Sequence, residues 1–238
     1  MKEQFIVVLL AGDKGCGKDS VAFRLEDEHK FAHTAYADFL KEMCVTLLHK
    51  MDCEVTFDHF HKQELKNEFI YDIDGKKFLF KTPKRNGVPM TYRQFMQQLG
   101  TEAIRNNIHN EAWIIPVKKF IREAYTHPEQ IFRGVVVSDA RFPNEIEEIK
   151  NYCKMFGGMV EIIDVEIIRP ELDNKDKHAS ETSLKNHKFT IGLLNDGTLA
   201  DLFMKVDRLA TGGWRLDKIN TEIKMRYDKH WMREYDER

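Results

Sequence analysis

Short unbroken apolar runs alternate along most of the chain with longer amphipathic stretches. Phe5–Leu10 is continuous and rich in β-branched residues, the pattern of a strand buried on both faces. Ser20–Lys30 reads as a helix. A short second strand is expected to close at Ala35–Ala37, with a helix over Phe39–Met51. Gly134–Val137 is another buried strand, and the periodicity of Asn144–Phe156 predicts a helix that starts at Pro143–Asn144. Val160–Ile168 and Phe189–Leu194 have strand character, and Thr198–Leu209 forms a closing helix. This order predicts an α/β fold with a parallel sheet and helices on both faces.

The middle of the chain breaks the rhythm. "EFIYDIDGKKFLFKT" is two strand-like runs around Asp74–Gly75, a hairpin signal. Tyr92–Asn107 and Glu111–Tyr125 are helical, with Pro116 confined to a first turn. Residues 52–128 therefore read as an insertion between core strands that covers a substrate, within a main domain of residues 1–210. Residues 211–238 form a charged tail carrying Trp214, Tyr227, Trp231 and Tyr235.

Length and charge narrow the function. The 238 residues suffice for a self-sufficient core. With 37 Lys+Arg against 39 Asp+Glu, there is no global basic field to hold a nucleic acid polymer. Phosphate recognition must come from a few local cations. Cys16, Cys44, Cys53 and Cys153 form no C-x-x-C pair, which fits free thiols in a reducing cytoplasm. The apolar stretch in "MKEQFIVVLLAG" is short and runs into a glycine loop. It is expected to be a core strand and not a secretion signal, and no run is long enough for a membrane span.

That glycine loop carries the first chemistry. Gly12-x-x-x-x-Gly17-Lys18 has the spacing of a P-loop, following a buried strand and preceding a helix. Glycines let successive N–H groups turn inward on phosphate oxygens, and the helix adds the positive end of its dipole. Gly12, Lys14, Gly15, Cys16, Gly17 and Ser20 are the candidate ATP-binding residues, and Lys18 the mobile charge for the β- and γ-phosphates. Asp19 stands where such loops carry a hydroxyl. A carboxylate ~4 Å from a phosphate repels it by a few kcal/mol at an effective dielectric near 20. A divalent cation between them reverses the sign, so Asp19 is a candidate Mg²⁺ residue. The alternative is a charge that merely caps the helix start.

Other polar residues follow the apolar runs at the edge where an open α/β sheet binds ligands. Asp139 can hold Mg²⁺ or its waters, and Arg141 a substrate phosphate. An internal Asp–Arg pair is the alternative. Pro143, Asn144 and Glu145 shape the helix start. Arg93 and Gln97 share a helix face, one offering a bidentate grip on phosphate and the other an amide for a base edge. Asp38 and Lys41 sit at the same edge as candidate substrate-binding residues: Lys41 is placed to neutralise an acceptor phosphate, while for Asp38 capping the helix Phe39–Met51 is favoured over substrate contact. Trp113, Phe95, Phe132 and the methionines are expected in the core. His59-x-His61 lacks a third metal ligand.

Four stretches carry a resemblance: "YADFLKEM", "YRQFMQQLGTEAIRNN", "VVVSDARFPNEIEEI" and "IIRPELDNKDKHASETSL" with "LLNDGTLADL". In this order, with "GDKGCGKDS", they resemble bacteriophage deoxynucleoside monophosphate kinases. The resemblance implies a three-layer P-loop kinase fold and ATP- and Mg²⁺-dependent transfer to deoxynucleoside 5′-monophosphates. It implies a host-cytoplasmic homodimer, with Arg93 and Gln97 facing the monophosphate and Asn195 and Gly197 against the adenine. It also implies a lid over about residues 169–188, with Arg169 the leading catalytic cation and Lys175, Lys177, His178, Ser180 and Glu181 in the same stretch. Phosphomevalonate kinases share the "GKD" loop, so another small phosphorylated acceptor stays open. So does a non-catalytic nucleotide switch.

Overall fold

The computed structural model describes residues 4–82, 85–170, 172 and 183–212. Most of the expected lid, including Lys175, Lys177, His178, Ser180 and Glu181, lies outside the described residues, as do the tail aromatics Trp214, Tyr227, Trp231 and Tyr235. The main elements run β1 (Phe5–Ala11), α1 (Lys18–His29), β2 (Phe31–Thr34), α2 (Tyr36–Lys50), α3 (Asp58–His61), β3 (Leu79–Thr82), β4 (Arg85–Pro89), α4 (Tyr92–Gln97), α5 (Ile114–Tyr125), β5 (Gly134–Val137), α6 (Pro143–Cys153), β6 (Val160–Ile168), β7 (Ile191–Leu194) and α7 (Leu199–Ala210). The chain divides into two compact units, Met1–Ala35 with Val117–Arg238, and Tyr36–Pro116.

The first unit contains a five-stranded sheet in the order β2-β5-β1-β6-β7. Every pairing in it is parallel. Parallel strands need crossovers, and the crossovers lay helices on the faces. On one face Ile6, Val8 and Leu10 pack with Val21 and Leu25 of α1 and with Leu202, Val206 and Leu209 of α7. The pleat turns Phe5, Val7 and Leu9 the other way. There the ring of Phe5 meets Tyr125 at 5.3 Å, and Ile121, Ile146 and Ile149 are fully buried. β1 is buried along its whole length, as its unbroken apolar run requires.

Polar contacts tie the helices together. Arg24 on α1 donates twice to Asp207 on α7, both at 2.9 Å, and His29 Nε2 lies 2.7 Å from the same carboxylate. On β6, Asp164 is fully buried. Lys150 and His187 meet its carboxylate at 2.7 and 2.8 Å, and Thr190 donates to it. Burial would raise the Asp164 pKa, but the hydrogen bonds from Lys150, Thr190 and His187 outweigh it and hold the group below its ordinary range.

The second unit is built on another core, in which Cys44, Leu48, Phe60, Ile70, Phe80, Met90, Tyr92 and Phe95 cluster. Asp72–Lys76 makes the tight turn expected around Asp74–Gly75, with Gly75 at φ 74° and the Asp72 amide bonded to Lys76 O at 2.9 Å. Beyond the turn the flanking runs are joined by the bridge between Tyr71 and Lys77 and by the Phe78 amide, which donates to Ile70 O at 2.9 Å. Leu79–Thr82 pairs instead with Arg85–Pro89, which the apolar pattern did not reveal.

Several expectations need correction. The second strand is Phe31–Thr34 and not Ala35–Ala37, because the chain leaves the sheet after Thr34 pairs with Val137. Tyr36 already opens α2, so Asp38 lies inside its first turn and is not the residue that precedes the helix. Its carboxylate accepts from Lys41 at 2.7 Å. Tyr92–Asn107 is helical as expected, but only Tyr92–Gln97 opens as α-helix before a π-helix over Gln98–Arg105. Met43, Met155, Met159 and Met204 are exposed and do not join a core; Trp113 and Phe95 do. Among the described residues no helix is long and apolar enough to cross a membrane.

Asp207 supplies a stability prediction. Arg24 holds its pKa down at about 2, against the opposing effect of burial and with help from His29. A folded pKa below the unfolded value of about 3.9 stabilises the fold above about pH 4 and loses that effect as pH falls toward 2. The carboxylate is 35 % exposed, so solvent screening limits its worth to about 1 kcal/mol. Asp207→Asn is expected to lower Tm at neutral pH by roughly 2–4 °C and to flatten the fall in Tm between about pH 4 and 2. Circular-dichroism melts across that range test this; parallel acid limbs in the two proteins would refute it.

Candidate active site

Because the sheet of the first unit is parallel, the ends of β1, β5, β6 and β7 share one edge, and the candidate residues of this unit lie on the segments leaving it. The loop after β1 turns sharply at Gly12, where φ is 135°. A Cβ at Gly12 would sit 2.4 Å from Ile167 O on β6 and 2.9 Å from Cys16 Sγ, so only glycine fits. Gly15 and Gly17 also have positive φ, at 80° and 110°. Gly17 is the N-cap of α1 and no side chain caps that end. The N–H groups of its first turn are then those available to an anion.

Lys18 is the first residue of α1. Its Nζ donates to Gly12 O at 2.7 Å and to Asp13 O at 2.8 Å, so its ammonium lies back across the loop. Cys16 is buried beneath it; burial raises the thiol pKa, and the nearby Lys18 opposes that rise in part. Lys14 and Asp19 are exposed and Ser20 is half-buried. Asp19 is the second residue of the helix, so it charges the first turn without capping it.

One residue far along the chain shapes this loop. The Asn195 side-chain amide donates to Cys16 O at 2.8 Å, and its Nδ2 lies 2.7 Å from where a Gly17 Cβ would be. The Asn195 backbone amide bonds Ile168 O at 2.7 Å. Asn195 thus ties the segment after β7 to β6 and to the loop. Gly197 follows it, where a Cβ would meet the Asp201 carboxylate at 2.6 Å. That carboxylate is part of the Thr198 capping box of α7.

Asp139 leaves β5 in a backbone fixed on both sides. The Ser138 amide donates to Thr34 O at 3.1 Å and the Ala140 amide to Leu10 O at 2.9 Å. Asp139 is buried to 9 % exposure, Arg141 is half-buried and Arg169, directly after β6, is exposed. Glu145 is buried and accepts from the amides of Arg141 and Phe142 at 2.8 and 3.0 Å, which shapes the turn that presents Arg141. Asp19 and Asp139 each offer hard carboxylate oxygens. Among the described residues no three His, Cys, Asp or Glu side chains group as a protein-only metal cage. Mg²⁺ carried on nucleotide phosphates needs only one or two carboxylates, so these residues fit it. His59, by contrast, is engaged with Thr56, whose amide donates to Nδ1 at 3.0 Å.

The second unit holds the remaining candidates. Lys41 is 8 % exposed, paired with Asp38, and its Nζ lies 5.5 Å from the centre of the Phe57 ring. On α4, Thr91 and Gln94 form a reciprocal capping box. Between them in sequence, Arg93 donates from Nε to Asn67 Oδ1 at 3.1 Å and from Nη2 to Gln63 Oε1 at 3.0 Å. Gln97, one turn along, is half-buried. Gln63 and Asn67 were not legible as partners of Arg93, because nothing in their spacing links them to it.

The family model for deoxynucleotide monophosphate kinases matches residues 57–206, more than half of the chain. The chain belongs to the deoxynucleotide monophosphate kinase family. The match starts after the glycine loop, so loop geometry and family membership are separate observations. A putative deoxynucleotide monophosphate kinase of Acanthamoeba polyphaga mimivirus is 28% identical over 212 residues, covering 84% of this chain and 94% of that protein. The deoxynucleotide monophosphate kinase of Enterobacteria phage T4 is 27% identical over 153 residues, 61% of this chain and 59% of the phage protein. The APS kinase CysC of Mycobacterium tuberculosis aligns over 87% of this chain and 96% of its own, with 12% identity and a TM-score of 0.37.

The Asn195 contact predicts a kinetic phenotype for this family member. Asn195→Ala removes the amide that fixes the loop and leaves the Cys16 carbonyl without it. The KM for ATP is expected to rise about 10-fold, on the order of the 1–2 kcal/mol of one partly buried hydrogen bond, with the acceptor KM unchanged. Initial rates with each substrate varied in turn test this; equal changes in both KM values would count against a loop-specific role.

Proposed function

We propose that this chain transfers the γ-phosphoryl group of ATP to deoxynucleoside 5′-monophosphates, giving the diphosphate and ADP. The match of residues 57–206 to the family carries the reading. The glycine loop after β1 agrees with it independently. A phosphomevalonate acceptor, open on the "GKD" loop alone, is not favoured once the family is known.

The attacking oxygen belongs to a phosphate that is already ionised at neutral pH. No general base is required, and catalysis reduces to positioning and charge neutralisation. The amides of Gly12, Lys14, Gly15, Cys16 and Gly17 would cradle the donor phosphates. Lys18 would exchange its bonds to Gly12 O and Asp13 O for phosphate oxygens, and Ser20 would donate to the same chain. Asp19 and Asp139 would hold Mg²⁺, which when bound neutralises charge on the β- and γ-phosphates. Arg141 and Arg169 would face the charge that spreads over the migrating group. Arg93 and Lys41 would hold the acceptor phosphate and Gln97 the base edge, while Asn195 and Gly197 would border the adenine.

A coupled ADP-release assay over the common NMPs and dNMPs, with ATP and Mg²⁺, tests the function. ADP release at one rate whatever monophosphate is added would overturn it in favour of a nucleotide switch. Lys18→Ala is expected to lower kcat by at least ~10²-fold, since Lys18 is the loop's mobile cation, with the melting temperature retained. Arg93→Ala is expected to raise the acceptor KM ~10-fold or more, the loss of one charge-assisted contact, with little change in the ATP KM. An unaltered acceptor KM would remove Arg93 from the monophosphate site.

A further inference from the structure

Beside Asp139 stands a polar trio with no part in the chemistry described so far. Ser138 is only 5 % exposed. Its Oγ lies 2.8 Å from His33 Nε2. On the other side of the ring, His33 Nδ1 lies 3.4 Å from Glu26 Oε2. The three residues come from separate elements: Glu26 from α1, His33 from the edge strand β2, and Ser138 from the end of β5. Glu26 opposite Nδ1 favours the tautomer with the proton on that nitrogen. Nε2 is then an acceptor for the Ser138 hydroxyl.

A buried hydroxyl is a costly choice at this position. Left unpaired it costs about 1–3 kcal/mol, whereas an apolar residue would continue β5 without that cost. Val135, Val136 and Val137 do so immediately before it, all fully buried. The hydroxyl makes sense for what it fixes. The amides of Ser138 and Ala140 already pin the chain to Thr34 O and Leu10 O. The Ser138–His33 bond adds a side-chain restraint on the residue preceding Asp139. A carboxylate that meets an ion must be held to roughly 0.5 Å, and the groups behind it set that precision.

We propose that Glu26, His33 and Ser138 are positioning residues for Asp139, fixing its carboxylate where the divalent ion of Mg·ATP is met. This rests on the reading of Asp139 given under the function above. None of the three touches substrate; they act through the backbone of one residue.

The test uses His33→Leu, Ser138→Ala, His33→Gln and Asp139→Asn in the full chain. ATP affinity is measured by calorimetry with Mg²⁺ and again with EDTA, alongside Mg²⁺ titrations of kcat and melting temperatures. H33L and S138A are expected to weaken Mg·ATP binding and raise the half-saturating Mg²⁺ about 10-fold, the usual scale for outer-shell partners. Metal-free ATP affinity should stay within error. H33Q, which returns an amide near the position of Nε2, should recover most of the loss. The double variant H33L/S138A should be no worse than S138A, and H33L should add nothing to D139N. If H33L does not fold, Glu26→Gln alters the far end of the trio and should move the Mg²⁺ requirement in the same direction by a smaller factor. Lower melting temperatures with an unmoved Mg²⁺ dependence, beside a defective D139N, would overturn the positioning role alone. An unchanged Mg·ATP affinity in D139N would overturn the metal reading of Asp139, and the proposal with it.

Discussion

The first unit depends on one close approach. Where β1 ends, the backbone must turn beneath the carbonyl of Ile167, with room for a hydrogen and not for a carbon. That carbonyl belongs to the strand beside β1 in a continuous parallel register from Phe5–Val160 to Ala11–Glu166. The turn therefore cannot relax without moving the sheet. A flexible glycine loop would have to lose backbone entropy of about 1–2 kcal/mol per residue when a nucleotide ordered it. A loop wedged against β6 and tied by Asn195 to Cys16 O has met much of that cost on folding.

The same economy governs charge. Lys18 lies across the loop on two carbonyl oxygens. Those bonds hold the ammonium close to the first turn of α1, so that a phosphate replaces neutral acceptors with a stronger, charged one. Asp19, one residue on and exposed, is unfavourable near a phosphate unless a cation stands between them. A carboxylate in that place makes sense if nucleotide arrives already carrying its metal. On that reading the loop would favour the metal complex over the bare anion, which would meet Asp19 uncompensated.

Much of this was visible in the sequence, and the parts that were not share a cause. β1 and β5 announced themselves because strands buried on both faces are unbroken apolar runs, and β6 did so through its β-branched residues although Glu161, Asp164 and Glu166 interrupt it. β2 did not, because His33 and Thr34 put polar atoms into an edge strand, and its position was read several residues late. The loop was legible through local spacing, and Glu145 through its place beside a proline at a helix start. Asn195 was named only by resemblance, as a neighbour of adenine. Its bond to Cys16 O crosses 179 residues of sequence, and no local pattern encodes such a contact. Gln63 and Asn67 beside Arg93, and His33 beside Ser138, escaped for the same reason.

These long-range contacts fall on the residues that would do chemistry, and the reason is mechanistic. Transfer to an ionised phosphate needs no base or nucleophile from the protein, so geometry is the protein's main instrument. Local sequence can place a cation within a few ångströms of its target through helix and loop propensities. Holding it to a fraction of an ångström takes a second anchor from another part of the fold. Arg141 has Glu145 on its amide, the glycine loop has Asn195, and Arg93 has Asn67 and Gln63. In each case the group named from local pattern is held by one that only the folded chain brings to it, apart from Glu145, four residues away. A catalyst that works by position should distribute its information in this way. Its reactive groups are recognisable by type, and the accuracy resides in partners whose own residue types are unremarkable.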